Sequence, residues 1–590
     1  MTLPSKVLFI DLSKRAFHVE SRPNLFKEYI GGTGVAANLL LDYCPKNADP
    51  LGPDNPIIFA VGPLTGLYPL ASKTVAMFKS PLTGNLGESH AGGRSAVAIR
   101  SAGYGAIVIV GSSETPVYLA VHGDSVNFRD ASGIWGIVHS VTVGRVVREL
   151  EPHSGMRTIM RIGGAGENLV SYACVTTETY RHFGRLGLGA VFGSKRLKAL
   201  VVSGNESIEV DDMKKYRETY DSIYRKAVDS PIMKKYHDIG TAVNVSPLNQ
   251  LKAIPVMNLK RSYSPEVEEI SGEKLVENYL GRRIACTHCP VACIHIAALR
   301  EPYEREPYFF KTSMISYDYE PIYSLGSMLG IFDIPGFLKL MDTVEAWGLD
   351  AMSLGVALAW ATEAFEKGLI TEKETLDLKL QWGDHQTYMK AVEFVARSST
   401  DFYRSLGKGV EYVSSIYGGE NFALSFGSNE MAGYHTGPLC YVNYLTGMRH
   451  SHLDSAGYSL DQRMLNKGEL LTPDEAAEQL FNEESWRQIL SSLVVCFFAR
   501  GIYDSGTISS SLEAIGVFVD EQGMYELGSR ILEKKLEFKI REGFSPENLR
   551  IPNRILETES PHGKINEEYL RETIKAYYTF TKQGDKRGHA

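Results

Sequence analysis

The chain has 590 residues, 44% of them hydrophobic and 22% charged, with a net charge of −8 and a pI near 6.1. That length exceeds what one hydrophobic core can serve and predicts about three domains. The negative balance argues against a nucleic-acid backbone or an anionic membrane as the main partner, although a localised basic patch can still dock an acidic carrier protein.

The opening stretch, "MTLPSKVLFIDLSKRAFHVE", alternates around a turn and predicts two strands rather than a signal peptide. Up to about residue 208, short β-type runs such as "NPIIFAVGPLTG", "GAIVIVGS" and "PVYLAVHG" are split by glycine and proline. This is the pattern of a twisted, mostly antiparallel β domain. From "DDMKKYRETYDSIYRKAV" the apolar period becomes helical, and further helices are expected at "IPGFLKLMDTVEAWG", "SLGVALAWATEAFEKG", "YMKAVEFVARSS" and "SWRQILSSLVVCFFARGIY". A looser stretch near 415–460, rich in histidine and tyrosine, separates two helical regions. The expected class is α+β: a β domain over 1–208, then mostly helical domains over 209–417 and 418–590. No solenoid-type repeat is visible. No apolar run reaches the ~20 residues that span a bilayer.

Seven cysteines, three of them clustered, argue against a disulfide framework and for a reducing cytoplasm. The cluster is "ACTHCPVAC" (285–293), where Cys286, Cys289 and Cys293 have the spacing C-x2-C-x3-C. Three such thiolates suit three corners of an iron–sulfur cubane, with a distant fourth ligand. They also suit zinc, with His288 or His295 completing the tetrahedron. Spacing leaves both open. Cys44 and Cys174 read as core, Cys440 lies in an undecided loop, and Cys496 sits in an apolar run.

Several stretches in the same order resemble the tungsten-containing aldehyde:ferredoxin oxidoreductases over almost the whole chain. They include "GPLTG" (62–66), "AGGR" (91–94), "AGYGAIVI" (102–109), "GGAGENLV" (163–170), "GRLGLGAVFGSKRLKAL" (184–200), the cysteine loop, "DYEPIYSLGSMLGI" (318–331) and "WGLDAMSLG" (347–355). The resemblance implies a two-sheet β base, two helical domains, and a tungsten held by two pyranopterins whose phosphates share a magnesium ion. It makes Cys496 the fourth ligand of a [4Fe–4S] cluster with Cys286, Cys289 and Cys293.

Glycine-rich turns let the backbone approach phosphates and rings closely. The resemblance assigns "ESHAGGR" (His90, Gly92, Gly93, Arg94) and "YRHFGR" (Arg181, His182, Phe183, Gly184, Arg185) to the pterin phosphates and magnesium, with Lys73 where an arginine is common. The glycine run lacks a GK[ST] ending and the G-x-G-x-x-G order, which excludes a nucleotide loop. A paired D-x-x-G-L-(C/D) motif gives Glu345, Leu349 and Asp350 in its first copy and Ser491, in place of aspartate, in its second; Arg449 joins the cofactor set.

For chemistry the resemblance points to Glu320 as the general base beside the metal, with Asp318 nearby, and to His450 as proton donor, His452 being the alternative if the loop register differs. Lys339 stands where some relatives carry a ligand of an intersubunit metal, so that metal is not expected, and homodimerisation stays open. The C-terminal "LRETIKAYYTFTKQGDKRGHA" is expected to form a short tail. The implied activity is oxidation of aldehydes to carboxylic acids with ferredoxin or a ferredoxin-like subunit as acceptor. Alternatives are reduction of a carboxylic acid or aromatic acyl thioester, and a zinc- or cluster-stapled binding protein. Sequence does not separate tungsten from molybdenum.

Overall fold

Strands that are apolar on both faces must be covered on both, and the early strands are of this kind. In β1 (Lys6–Asp11), Leu8 and Ile10 enter one apolar core while Val7 and Phe9 enter another. The computed structural model describes residues 3–152 and 155–587. Its N-terminal domain contains β1, β2 (Ala16–Ser21), β3 (Ile57–Ala60), β4 (Thr74–Lys79), β5 (Leu86–Ala91) and β6 (Ala106–Val110), followed by β7 (Val117–His122), β8 (Ser125–Asp130), β9 (Met156–Arg161), β10 (Val175–Thr177), β11 (Arg181–Phe183) and β12 (Leu197–Gly204).

These strands form two six-stranded sheets, ordered β2-β1-β6-β3-β4-β5 and β8-β7-β12-β9-β10-β11. The second order is the first with every strand advanced by six. Directions repeat as well: β1–β6 and β7–β12 are the parallel pairs, and the other neighbours run antiparallel. The inner core between the sheets takes Phe59, Phe78 and Ile107 from one and Leu119, Phe183 and Leu200 from the other. Burying each such side chain stabilises by roughly 1.5–3 kcal/mol. The duplication has a local consequence. His90 pairs with Val75 one step before the end of β5, and His182 pairs with Thr176 one step before the end of β11. The two glycine-arginine turns therefore leave equivalent strand ends, and β5 lies against β11.

After Gly204 the chain is mostly helical, as the periodicity predicts, apart from a two-stranded ladder of Ser425–Phe426 with Asn429–Glu430 and one larger sheet. Residues 280–317 form a three-stranded antiparallel sheet of β13 (Leu280–Ile284), β14 (Ile294–Tyr303) and β15 (Glu306–Tyr317), and the cysteine loop is the β13–β14 connection. Helices Ile334–Trp347, Ala351–Glu366 and His385–Ala396 match their predicted segments. The helix expected through 485–503 instead ends at Ser492, and Val494 takes a left-handed φ of 55°. Docking against the N-terminal domain accounts for the break, because Val494 O accepts from Lys73 N and Cys496 N donates to Leu70 O. The C-terminal segment is a helix, Glu567–Arg587, packed on Pro473–Ser492 through Tyr577 Oη to Glu484 (2.6 Å), not a short tail. Residues 588–590 of that segment lie outside the described residues. Among the described residues no single helix is long and apolar enough to cross a membrane.

Candidate active site

The ends of β5 and β11 form the floor of a cavity of about 330 Å³, roofed by residues 316–321, 341–352 and 449–453 and by the loop at Val495–Phe498. A water occupies roughly 30 Å³, so the space suits a substantial ligand.

Glu320 lies in the wall, immediately after β15 and before a π-helical stretch, Ile322–Gly326, a geometry common at functional sites. His452 Nε2 lies 3.3 Å from Glu320 Oε1, and Tyr434 Oη donates to the same oxygen at 3.2 Å. Burial pushes the Glu320 carboxyl up, but the His452 and Tyr434 hydrogen bonds and the His452 charge outweigh it, leaving its pKa below the ordinary carboxylate value. Beside it, Asp318 accepts from Thr241 Oγ1 (3.2 Å) and faces Arg181 (3.6 Å). Burial, together with Glu320, raises the Asp318 pKa despite Arg181.

The histidine assignment is corrected here. His450 does not line the cavity: it is buried with Nδ1 on Tyr444 O (2.9 Å) and Nε2 on Lys539 Nζ (2.8 Å). His450 has a φ of 54°, a left-handed turn that sends its ring away while His452, two residues on, faces Glu320.

Lys73, His90, Arg181, His182, Gly184 and Arg185 line the cavity, and so do Glu345, Leu349, Asp350 and Arg449. Asp350 caps helix Ala351–Glu366 and pairs with Arg185 (3.1 Å), which also donates to Glu430 O (2.7 Å). Burial raises Glu345 to about 8 even though Ser316 Oγ donates to it at 2.8 Å, so it is protonated at neutral pH and can donate. Burial and the charges of Arg181 and Arg161 lower His182 to about 3, so the 3.7 Å His182–Glu345 contact is not ionic. Beneath the floor, Glu88 pairs with Lys535 (2.6 Å) and accepts from His90 (2.7 Å).

Cys293 and Cys496 open on the same cavity as Arg181, whose pKa, despite burial, is raised by Asp318 and by the thiols of Cys286, Cys293 and Cys496. One segment holds both cysteine loops: Leu70 N donates to His288 O (3.2 Å), and Leu70 O accepts from Cys496 N (2.9 Å). Thr287 N donates to Gly93 O (3.0 Å). Leu70, His288, Ala292 and Val494 all have positive φ, a concentration of backbone strain around the four thiols. Burial and neighbouring thiols raise Cys289 to about 12 and Cys293 higher still, so a bound metal is needed to hold them as thiolates. Among the described residues no three Cys, His, Asp or Glu side chains converge as one metal ion requires. A cubane differs, because each thiolate takes a separate corner. His295 is engaged elsewhere, with backbone carbonyls of Cys293 and Asp238.

Five of the expected cofactor residues stand apart. Phe183 belongs to the core between the sheets, 5.3 Å from the Phe59 ring, because its side of β11 faces inward. Ser491 does not line the cavity; it is buried in the last helical turn, with its carbonyl packed against Gly32. Arg94 pairs with Glu178 (3.0 Å) at a different pocket, and Gly93 (φ 106°) packs on Glu178 and Arg181. Gly92 has a steric reason: a Cβ there would lie 2.6 Å from Cys286 Sγ. Tyr434 and Asn429 are not singled out in the sequence beyond the cluster of aromatics and histidines at 415–460, and Thr241 lies outside that cluster.

Among the described residues, several buried polar atoms of the wall have no hydrogen-bond partner: Arg181 Nε, Arg185 Nη1, Asn429 Oδ1 and His452 Nδ1. Each such atom costs about 1–3 kcal/mol unless a ligand meets it. A polar, anionic, ring-bearing group meets these donors and acceptors, and the pterin cofactor fits that description.

A large polar cavity on which Cys293 and Cys496 open is an arrangement that suits a redox enzyme. Residues 7–204 match the sequence model of the aldehyde ferredoxin oxidoreductase N-terminal domain, and 218–588 match that of domains 2 and 3. The chain belongs to the aldehyde ferredoxin oxidoreductase family. It is 31% identical to a tungsten-containing aldehyde ferredoxin oxidoreductase of Thermococcus kodakarensis, covering 97% of this chain and 95% of that one. It is 30% identical to a protein of the same description from Pyrococcus furiosus, covering 94% and 92%. Its fold is similar to a chain of the BamBC active-site complex of benzoyl coenzyme A reductase with 1,5-dienoyl-CoA, at TM-score 0.84, 22% identity, and coverage of 98% and 94%.

Proposed function

We propose that this chain oxidises aldehydes to carboxylic acids at a tungsten bis-pyranopterin seated in the cavity. Electrons leave through a [4Fe–4S] cluster on Cys286, Cys289, Cys293 and Cys496 to ferredoxin or a ferredoxin-like subunit in the cytoplasm. The observation that carries this reading is that ionised Glu320 and the thiols of Cys293 and Cys496 open on one cavity.

When bound, the metal takes two electrons from the aldehyde and the cluster releases them singly. Lys73, Arg181, Arg185 and Arg449 would supply positive charge to the pterin phosphates, and Glu345, as a neutral acid, and Asp350 would be the groups to hydrogen-bond the pterin rings. Glu320 accepts a proton from water or the hydrated aldehyde, and His452 and Tyr434 hold its carboxylate ionised. The division at about 208 and 417 then has meaning: the first domain is the base, the second brings Glu320 and the cysteine loop, and the third brings His452 and Cys496.

The test is metal analysis of anaerobically purified protein, together with aldehyde-dependent reduction of ferredoxin. About one tungsten and about four irons per chain are expected. Zinc alone, from a host that makes the pterin, overturns the reading. A second reading, reduction of an acyl thioester, draws on the fold shared with the benzoyl coenzyme A reductase complex. Turnover of an aromatic thioester but of no aldehyde would select it.

A further inference from the structure

A second pocket, of about 410 Å³, adjoins the cavity, and Tyr180 lines both. Six arginines line it: Arg94, Arg145, Arg148, Arg157, Arg161 and Arg282, with Glu178 as the one carboxylate. Two elements supply most of them at regular spacing. The helix Ser140–Leu150 presents Val141, Gly144, Arg145 and Arg148, its i, i+3, i+4 and i+7 positions, and β9 presents Arg157, Ile159 and Arg161 on one face. Gly144 leaves room for the floor: a Cβ there would lie 2.8 Å from Arg161 Cζ, and Arg161 is 1% exposed.

Arg94 pairs with Glu178, and Arg157 and Arg161 donate to backbone carbonyls, while among the described residues Arg145, Arg148 and Arg282 have no carboxylate partner in an ion pair. Arg94, Arg145, Arg148 and Arg282 are exposed, and their convergence on one concavity in a chain of net charge −8 makes a local positive field that attracts an anion. The fork geometry of arginine favours phosphate oxygens. Lys73, Arg181, Arg185 and Arg449, which the functional reading gives to the pterin phosphates, line the first cavity, whereas Arg94, assigned to those phosphates by resemblance, faces this pocket. Tyr180 lines both spaces, and its hydroxyl feels the charges of Glu345 in the cavity and of Arg145 and Arg282 in the pocket.

We propose that this pocket binds a phosphate or diphosphate group carried on the non-reacting end of the substrate, whose reacting end enters the cavity past Tyr180. The proposal rests on the functional reading above for the link to turnover, but not for the anion site itself. Two measurements separate these. Calorimetric titration of the holoenzyme with inorganic pyrophosphate is expected to show binding that weakens at least tenfold in the variant R145Q/R148Q, with tungsten, iron and pterin content unchanged. A pair of aldehydes differing only in a phosphate is then compared, and the phosphorylated one is expected to have at least tenfold higher kcat/KM, a preference that the variant loses.

Absence of pyrophosphate binding, or binding undiminished in the variant, overturns the site. Loss of pterin in the variant overturns it too, because the arginines would then serve the cofactor's own phosphates. Pyrophosphate binding without a kcat/KM preference overturns the substrate tail and leaves a free-phosphate site. If neither aldehyde turns over, the aromatic coenzyme A thioester replaces the pair, compared with its pantetheine thioester; equal rates for those two also overturn the tail. An effect of R145Q/R148Q confined to the KM for an acidic ferredoxin overturns it in favour of a protein partner.

Discussion

His452 Nε2 and Tyr434 Oη converge on one oxygen of Glu320, at 3.3 and 3.2 Å. Two donors on a single carboxylate oxygen stabilise the ionised form, and this outweighs the desolvation that would otherwise raise its pKa. A base that is already deprotonated can act over a wide range of acidic pH. Glu320→Gln is therefore expected to lower kcat/KM by about 10²–10⁴-fold with metal content unchanged. Because the depressed pKa places the acid limb of the kcat/KM profile low, removing a donor with His452→Phe moves that limb to higher pH. A pH profile of both variants checks this, and an unmoved limb in His452→Phe would sink the assignment.

His450 has a different kind of importance. Burial and Lys539 hold its pKa well below the ordinary value, so it stays neutral and accepts from Lys539. His450→Leu leaves Lys539 without that acceptor in the interior, and a loss of about 1–3 kcal/mol in stability is expected. Aldehyde kcat/KM measured well below the melting temperature should change only a few-fold, in contrast to the His452 variant.

Gly92 tests the cysteine loop sterically. The Cβ of Gly92→Ala would stand 2.6 Å from Cys286 Sγ and 3.4 Å from Lys73 Nζ. Displacing a cluster ligand should lower iron content per chain and alter the cluster's electron paramagnetic signal, while the sheet, whose hydrogen bonds are untouched, still folds. Full iron with an unchanged signal would show that the loop yields.

Glu345 couples the site to stability. Its folded pKa, raised by burial to about 8, exceeds the value of about 4.3 in an unfolded chain. Between those values the folded state holds a proton that the unfolded state has released, so stability is fully present below the lower value and falls as pH rises through the window. Melting temperatures at about pH 5 and about pH 8 should therefore differ less in Glu345→Gln than in the unaltered chain. An equal difference in both proteins would contradict the raised pKa.

Much of this was legible in the sequence, and the misses have physical causes. Period-two runs marked the N-terminal strands, and the helical period marked Ile334–Trp347 and Ala351–Glu366. The sheet at 280–317 was missed because its strands flank a cysteine loop whose motif drew the reading, and half of β15 is exposed without a clean alternation. The helix break before Cys496 was hidden because an apolar run reads as helix until backbone docking from Leu70 and Lys73 interrupts it. His450 and His452 differ by two residues, and only the left-handed turn at His450 decides which one meets Glu320. The five arginines beyond Arg94 come from three separate segments, so their convergence had no linear signature.

The order of strands in the two sheets has a meaning beyond architecture. A polypeptide that runs through the same path twice, with His90 and His182 at matched registers, has the form of an ancestral unit copied and fused. Its two copies have since diverged in chemistry: the first sets its imidazole against Glu88, ionised beside Lys535, and the second against protonated Glu345. Exchanging one residue between matched positions compares two halves within a single molecule, under one set of conditions and at one expression level. A two-part ligand bound across such halves would meet unlike electrostatic surroundings at its two ends, and this polarity would be inherited from divergence after duplication.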